Sequence, residues 1–169
     1  MKLVEIRPAD LSAGVRALRG GSEALAMVRR LLPFAQFGDG SGSLRDLEIR
    51  DAITTLFARP GEERFDPMRY RFPATRNEHV ALVATVLQAA RGRRRMDEDS
   101  TIWVPELTAL AGVDSSYVRR LAREGVLSRA PSPREHRGSH TRAPIAATSA
   151  QAFLRERGVK PWCYDEATS

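Results

Sequence analysis

The chain has 169 residues and a formal net charge of +6, from 27 Lys and Arg against 21 Asp and Glu. Hydrophobic residues make up 42% and charged residues 28%, a balance that allows a packed core and excludes a wholly disordered chain. The only lysines are Lys2 and Lys160, so the remaining basic residues are arginines. Such a chain favours phosphate-bearing or acidic partners, because the guanidinium group matches phosphate geometry, although a GC-rich coding sequence raises arginine usage equally.

Several classes of protein are excluded by simple counts. The single cysteine, Cys163, rules out an intrachain disulfide and a thiolate zinc cluster, and it favours a reducing, cytoplasmic compartment. The longest apolar run, at 80–87, is far shorter than the ~20 residues that a membrane span needs. Charged residues precede any apolar stretch, so we expect no signal peptide and no membrane partner.

Apolar residues spaced by three and four predict a helical N-terminal part. A short helix is expected after Pro8, and a second from Ser22 that Pro33 ends or kinks. A third is expected from Ser43, because Asp46 three residues later resembles a capping box. Its apolar residues are Leu44, Leu47, Ile49, Ile53, Leu56 and Phe57.

A long helix is predicted over residues 76–91, with apolar residues on two sides. A stripe that wide indicates burial on both sides, either at the centre of a helical bundle or in a dimer interface. The charged run that follows is expected to be solvated, with residues 96–100 as a linker; the alternative is an arginine arm that contacts DNA. We therefore predict a helical assembly or partner-binding domain over 1–95, a second domain over 101–160 and a tail over 161–169.

The second domain carries the sharpest signal. A short helix is predicted over 104–111, Gly112 is expected to end it, and Asp114 is expected to cap a further helix that stops at Gly125. That further helix has an inner face of Val118, Leu121 and Ala122 and an outer face of Ser116, Arg119, Arg120 and Arg123. Two short helices joined by a glycine turn, the second with a cationic face, are typical of a helix-turn-helix. The alternative is an ordinary helical hairpin with a solvated basic face.

The next segment is expected to add a wing. Strands are predicted over 126–129 and 143–146, followed by a helix from Ser149 to Gly158 with Ala152, Phe153 and Leu154 facing inward. The loop between the strands is basic and contains Arg134, Arg137 and Arg142. The expected fold is therefore mainly α: an N-terminal helical domain followed by a winged helix-turn-helix with a small two-stranded wing.

Residues 106–114, 118–127 and 150–158 resemble the winged helix-turn-helix of the MerR and excisionase-like superfamily. In that family a Gly-Val turn, a second helix ending in Glu-Gly and a short apolar strand recur in this order. The resemblance implies that Ser115, Ser116, Arg119, Arg120 and Arg123 face DNA and that Arg137 and Arg142 serve the wing. Tyr117, at the flank of the second helix, and Arg134 complete the set of candidate DNA-binding residues.

The positive charge is concentrated in the same region. Residues 101–160 contain ten Lys and Arg against five Asp and Glu. We therefore predict a sequence-specific double-stranded DNA-binding protein, a transcriptional repressor that associates with the nucleoid and assembles as a dimer or larger oligomer through its N-terminal helices. The alternatives are an antitoxin that masks a toxin with its N-terminal domain, an excisionase-like or architectural protein that bends DNA, and a purely protein-binding module.

We predict neither an enzyme nor a cofactor-dependent protein. His136 and His140 have a spacing that suits a metal only on a helix, which the neighbouring prolines and glycine oppose. Cys163 has no base or orienting group that the sequence places beside it.

Overall fold

The computed structural model describes residues 2–38, 42–131 and 144–159. Within these ranges the chain is mainly helical with a two-stranded antiparallel sheet, as the sequence predicted at this level of detail. Two 3-10 turns, Leu3–Glu5 and Pro8–Asp10, open the chain. The helices are α1 (Leu11–Ala17), α2 (Ser22–Phe37), α3 (Gly42–Phe57), α4 (Glu78–Glu98), α5 (Val104–Ala111), α6 (Ser115–Arg123) and α7 (Ala147–Glu156), and the strands are β1 (Thr101–Ile102) and β2 (Ile145–Ala146).

Helix α4 is the central element of the described structure. It is capped by Asn77, whose side chain accepts hydrogen bonds from the backbone N–H groups of His79 and Val80. It packs against α1, α2, α3 and α5. Its two-sided apolar pattern is therefore explained by burial within this chain, at the centre of a helical bundle.

Pro33 does not end α2, since it lies inside the helix, which continues to Phe37. The apolar residues of α3 are not all buried: Leu47 is 68% exposed, whereas Ala52 is fully buried. An amphipathic pattern gives only the approximate direction of a helix face, and the neighbouring helices decide which positions they cover.

The arginine-rich end of α4 is buried, which overturns the prediction of a solvated run. Arg91, Arg93 and Arg95 are 5%, 0% and 8% exposed. The Arg93 guanidinium donates to the carbonyl oxygens of Ala35 and Gln36, at 2.8 and 3.0 Å, and so satisfies acceptors that the end of α2 leaves free. These arginines therefore stabilise the core of the described structure, and the alternative of a DNA-contacting arm is wrong for them.

Arg91 and Arg95 share one buried carboxylate, that of Glu106 on α5. The Arg91 Nε atom lies 2.7 Å from Glu106 Oε1, and Arg95 Nε lies 3.0 Å from Oε2. Glu106 is 0% exposed. Backbone carbonyls in the connection between α3 and α4 accept the remaining hydrogen bonds of the two arginines: those of Pro67, Met68 and Tyr70. We call these three charged residues the Glu106 cluster.

Glycine allows α5 to approach α4 closely enough to form this cluster. A Cβ atom on Gly92 would lie 2.9 Å from Glu106 Cβ and 3.1 Å from Ile102 Cδ1. Both distances are shorter than packed carbon atoms tolerate. Gly92 therefore lets Glu106 lie over the last turns of α4, between the two arginines it neutralises.

The predicted linker at 96–100 is mostly helical. Helix α4 continues to Glu98, and Met96 is 3% exposed. A single apolar cluster extends from Leu3 to Leu154 across this segment. Residues 96–98 therefore belong to the last turn of α4, and the Glu106 cluster joins this end of α4 to α5.

The small sheet pairs differently from the prediction. β1 pairs with β2 in antiparallel register, Thr101 opposite Ala146 and Ile102 opposite Ile145. The predicted partner strand at 126–129 contributes a single bridge, between Arg129 and Ile145. The sequence therefore located the returning strand but assigned it the wrong principal partner, since the two residues of β1, although β-branched, are too few to show the alternation that identifies a strand.

Helix α7 also begins earlier than predicted. Its first residue is Ala147 rather than the one after Ser149, and the Ser149 hydroxyl instead accepts a hydrogen bond from the Ser128 backbone N–H at 2.9 Å. Ala152 is exposed, whereas Ala150 is buried with Phe153 and Leu154.

In the described ranges, no helix combines the length and the apolar character that crossing a membrane requires.

Candidate nucleic-acid interface

The segment from α5 to α6 has the local geometry that the sequence predicted. Gly112 adopts a φ of +64° and its N–H bonds to the Thr108 carbonyl at 3.0 Å, which ends α5 abruptly. The Asp114 carboxylate accepts a hydrogen bond from the Ser116 backbone N–H at 2.7 Å and caps α6. The helix then stops next to Gly125, which has a φ of +78°. These features are confirmed, and they hold α6 at a fixed angle to α5.

Helix α6 has an apolar inner face and a cationic outer face. Val118, Leu121 and Ala122 are 0%, 9% and 8% exposed and pack into the core. The predicted outer residues Ser116, Arg119, Arg120 and Arg123 are all exposed, whereas Ser115 and Tyr117 are half-buried. Burial of the inner face orients the arginines toward solvent, so their exposure follows from the packing of the helix.

The charge of this outer face is poorly neutralised. The ion pair between Arg120 and Glu124 is long, at 3.9 Å, and both side chains are more than half exposed, so it contributes little. Arg119 interacts electrostatically with the capping carboxylate of Asp114. One weakly held acidic residue and one capping carboxylate therefore face three arginines, and the outer face remains cationic.

Tyr117 connects α6 to α7 and is more than the flanking residue that the sequence suggested. Its ring lies 6.5 Å from the ring of Phe153, measured between centroids. The guanidinium carbon of Arg120 lies 5.2 Å from the Tyr117 centroid, and that of Arg157 lies 5.3 Å from it. Sequence reasoning missed Arg157, because only the packing of α7 against α6 brings it to this surface.

Several predicted residues lie outside the described ranges. They are the wing arginines Arg134, Arg137 and Arg142, the histidines His136 and His140, and Cys163 in the tail.

Among the residues that are described, no group of three or more His, Cys, Asp or Glu side chains is placed to hold a metal ion. A cavity of about 300 Å³ lies between α4 and α5, and its described lining is uncharged: Leu3, Thr85, Gln88, Thr108, Ala109, Gly112 and Val113.

The cap of α6 predicts an acid-sensitive contribution to stability. Hydrogen bonds from the side chain and the backbone N–H of Ser116 hold the pKa of Asp114 below its ordinary value of 3.8. A carboxyl group whose pKa is lowered by folding stabilises the folded state above its unfolded pKa, and this contribution is lost as the pH falls through the folded pKa. We expect Asp114→Ala to lower the thermal unfolding midpoint at neutral pH.

Thermal unfolding at a series of pH values tests this prediction. The difference in thermal unfolding midpoint between the wild type and Asp114→Ala should become smaller below pH 3.8. Asp114→Asn is the matched control, because its amide oxygen still accepts a hydrogen bond but does not titrate in this range. A difference that stays constant from neutral to strongly acidic pH would show that the charge of the cap is unimportant.

No protein-family model, curated protein or solved structure matches this chain.

Proposed function

We propose that this chain binds double-stranded DNA and that α6 is the helix that enters the major groove. The observation that carries the proposal is the cationic outer face of α6, where Arg119, Arg120 and Arg123 are exposed and poorly neutralised. Arginine is the side chain most often used to read guanine, because its two parallel N–H groups match the acceptors on the major-groove edge. The half-buried Ser115 and the exposed Ser116 lie at the N-terminal end of α6, the part of such a helix that meets base edges.

The arrangement around α6 supports a winged helix-turn-helix as part of this proposal. The described elements follow the order α4, β1, α5, α6, a bridge at Arg129, β2 and α7. The Ala130 N–H donates to the Pro144 carbonyl at 2.8 Å, so the two ends of the 131–143 segment lie side by side at the sheet. This pairing of the two flanking residues supports the proposal that the basic segment between them serves as a wing, with its arginines contacting the phosphate backbone beside the groove. The resemblance to the MerR and excisionase-like superfamily points the same way.

We propose further that the protein acts as a transcriptional repressor. A single module of this size buries little DNA surface and binds weakly, so specific control requires two or more copies on repeated half-sites. The N-terminal bundle of α1, α2 and α3 is the part of the chain left to supply that assembly. Occupation of a promoter is enough for repression, and it needs no feature beyond DNA binding.

Substitution of the outer arginines tests the recognition helix. We expect Arg119→Ala or Arg120→Ala to weaken binding to the preferred duplex by about 1–3 kcal/mol and to relax the base preference at one position, if the replaced arginine contacts a base. The preferred duplex is first selected by the wild-type protein from a random library, and affinities are then measured by fluorescence anisotropy. Arg16→Ala is the matched control, because Arg16 is an exposed arginine on α1, and its loss changes the net charge equally.

The outcomes separate specific recognition by α6 from an architectural role and from the absence of DNA binding. Unchanged affinity in both α6 variants would remove the recognition-helix assignment. Binding without enrichment of any sequence, accompanied by bending of the duplex, would replace repression by an architectural role. No binding even at low salt would contradict DNA binding altogether.

A further inference from the structure

Arg157, just beyond the end of α7, is held against the recognition helix by two aromatic rings. Its guanidinium carbon lies 4.6 Å from the centroid of Phe153 and 5.3 Å from that of Tyr117. One of its terminal nitrogens also donates a hydrogen bond to the Tyr117 hydroxyl at 3.2 Å. Arginine loses much side-chain entropy when it is immobilised by a ligand. Here part of that loss has already occurred in the folded protein.

The charge of Arg157 is left uncompensated by these contacts. The residue is exposed, and in the part of the chain that the structure describes it forms no ion pair with a carboxylate. An aromatic face attracts the cation but carries no net charge, and the tyrosine hydroxyl occupies one N–H group of the five that a guanidinium offers. With respect to the described residues, the remaining donors are therefore available to an anion in solvent.

Tyr117 places this cation beside the outer face of α6. The guanidinium carbons of Arg120 and Arg157 lie 5.2 and 5.3 Å from the centroid of its ring. Because both distances are measured to the same point, the two guanidinium groups lie near each other. Arg120 comes from α6 itself, whereas Arg157 comes from the end of the neighbouring helix. The cationic surface thus extends across the junction between α6 and α7.

We propose that Arg157 is a preorganised anchor for a backbone phosphate of the DNA, next to the site read by α6, and that Tyr117 positions it. This inference rests on the proposed function, and it adds a contact that lies outside the predicted set of DNA-binding residues. A phosphodiester is the anion that fits, because a guanidinium can bind it with two parallel N–H groups and needs no base identity to do so. Arg157 therefore contributes affinity and register, while sequence preference stays with α6.

The salt dependence of binding tests this assignment. The probe is a fluorescein-labelled mixed-sequence duplex, titrated with the full chain at several NaCl concentrations. Loss of one phosphate contact should reduce the slope of log affinity against log salt by about 0.9 for duplex DNA. We expect this reduction in Arg157→Ala, together with a several-fold loss of affinity at low salt. Arg16→Ala, with the same change in net charge, should leave the slope unchanged.

Two further variants separate an electrostatic contact from a structural role. Arg157→Lys retains the charge, so it should keep most of the slope while it loses the planar stacking and some affinity. Tyr117→Phe retains the ring and removes the hydroxyl, so it should lower affinity slightly at an unchanged slope. A variant that had only lost local packing would lower the thermal unfolding midpoint but would not change the number of counterions released.

Failure of this inference and failure of the proposed function give different results. If Arg119→Ala weakens binding to the selected duplex but Arg157→Ala retains the wild-type slope, the phosphate anchor is wrong and DNA recognition by α6 stands. If the wild type binds no duplex at any salt concentration, both proposals are overturned. If Arg157→Ala changes the preferred sequence, Arg157 contacts a base, and its assignment as a phosphate anchor is wrong.

Discussion

Replacement of Glu106 by alanine is expected to lower the free energy of unfolding by about 3–5 kcal/mol, the cost of leaving buried charges without their partner. The Glu106 carboxylate is fully buried and lies between the guanidinium groups of Arg91 and Arg95. Burial lowers the pKa of Arg91, and the charge of Glu106 acts in the opposite direction. Without the carboxylate, two cations remain in a poorly solvated site, stabilised by backbone carbonyls, by the rings of Phe72 and Trp103 and, for Arg95, by a long ion pair with Asp99 at 3.8 Å.

The same carboxylate also starts α5. Its Oε2 atom accepts a hydrogen bond from the Trp103 backbone N–H at 3.0 Å, which satisfies a donor that the first turn of a helix leaves free. We therefore expect Glu106→Ala to reduce both stability and the order of α5. Because α6 packs on α5, the variant should also lose the DNA affinity that we propose for α6, at temperatures where the rest of the protein is folded.

Urea unfolding followed by circular dichroism measures the effect. Glu106→Gln keeps the shape of the side chain and removes its charge, and it should recover only part of the loss. Glu63→Ala is the matched control, because Glu63 is exposed in the connection between α3 and α4, where loss of a charge costs about 1 kcal/mol or less. A loss of that small size in Glu106→Ala would show that water or a local rearrangement compensates the two arginines.

Gly14→Val is expected to destabilise the bundle by about 3 kcal/mol or more, at or above the upper end of the range for overpacking. Helix α1 crosses α4 at this glycine, and a Cβ atom there would overlap the His79 carbonyl group and lie 2.7 Å from Val83 Cγ2. The obstacle is partly backbone, which no change of rotamer removes. The two helices must separate, and their buried apolar contacts weaken along the whole crossing.

A graded series isolates the steric cause. Gly14→Ala should cost less than Gly14→Val, about 1–3 kcal/mol. Gly21→Ala should cost less than about 1 kcal/mol, because no atom lies within 4 Å of a Cβ at Gly21 and its φ of −87° suits any residue. The unfolding midpoint in urea is the readout. Equal losses at Gly14 and Gly21 would mean that close packing of α1 on α4 does not account for the effect, because Gly→Ala without a clash lowers the entropy of the unfolded chain and does not destabilise.

The segment from α5 to α6 was predictable in detail because its signals are local. Gly112 ends α5, Asp114 caps α6, and the three apolar positions of α6 follow helical spacing. Each of these features depends on residues no more than a few positions apart, so the order of the amino acids is sufficient to locate them. The same reasoning predicted the exposure of Arg119, Arg120 and Arg123, which is confirmed.

The arginine run could not be interpreted from its own sequence. A row of arginines usually indicates a solvated segment, yet Arg91 and Arg95 are neutralised by a carboxylate fifteen and eleven residues further along the chain. Arg93 is satisfied by carbonyls more than fifty residues earlier. The cost of burying a charge depends on the partners that the fold supplies, and these partners come from elements that the local pattern does not relate to α4.

The candidate site also combines local features, which the sequence predicts, with long-range contacts, which it does not. The sequence by itself determined that α6 is an amphipathic helix with a cationic face, because helical periodicity and the identity of its residues suffice for that conclusion. Only the tertiary structure decided that α7 packs beside α6, and therefore that Arg157 and Arg120 share the ring of Tyr117, forty residues from Arg157 along the chain. Contacts over such a separation are set by the packing of whole elements, so no short segment of the chain encodes them.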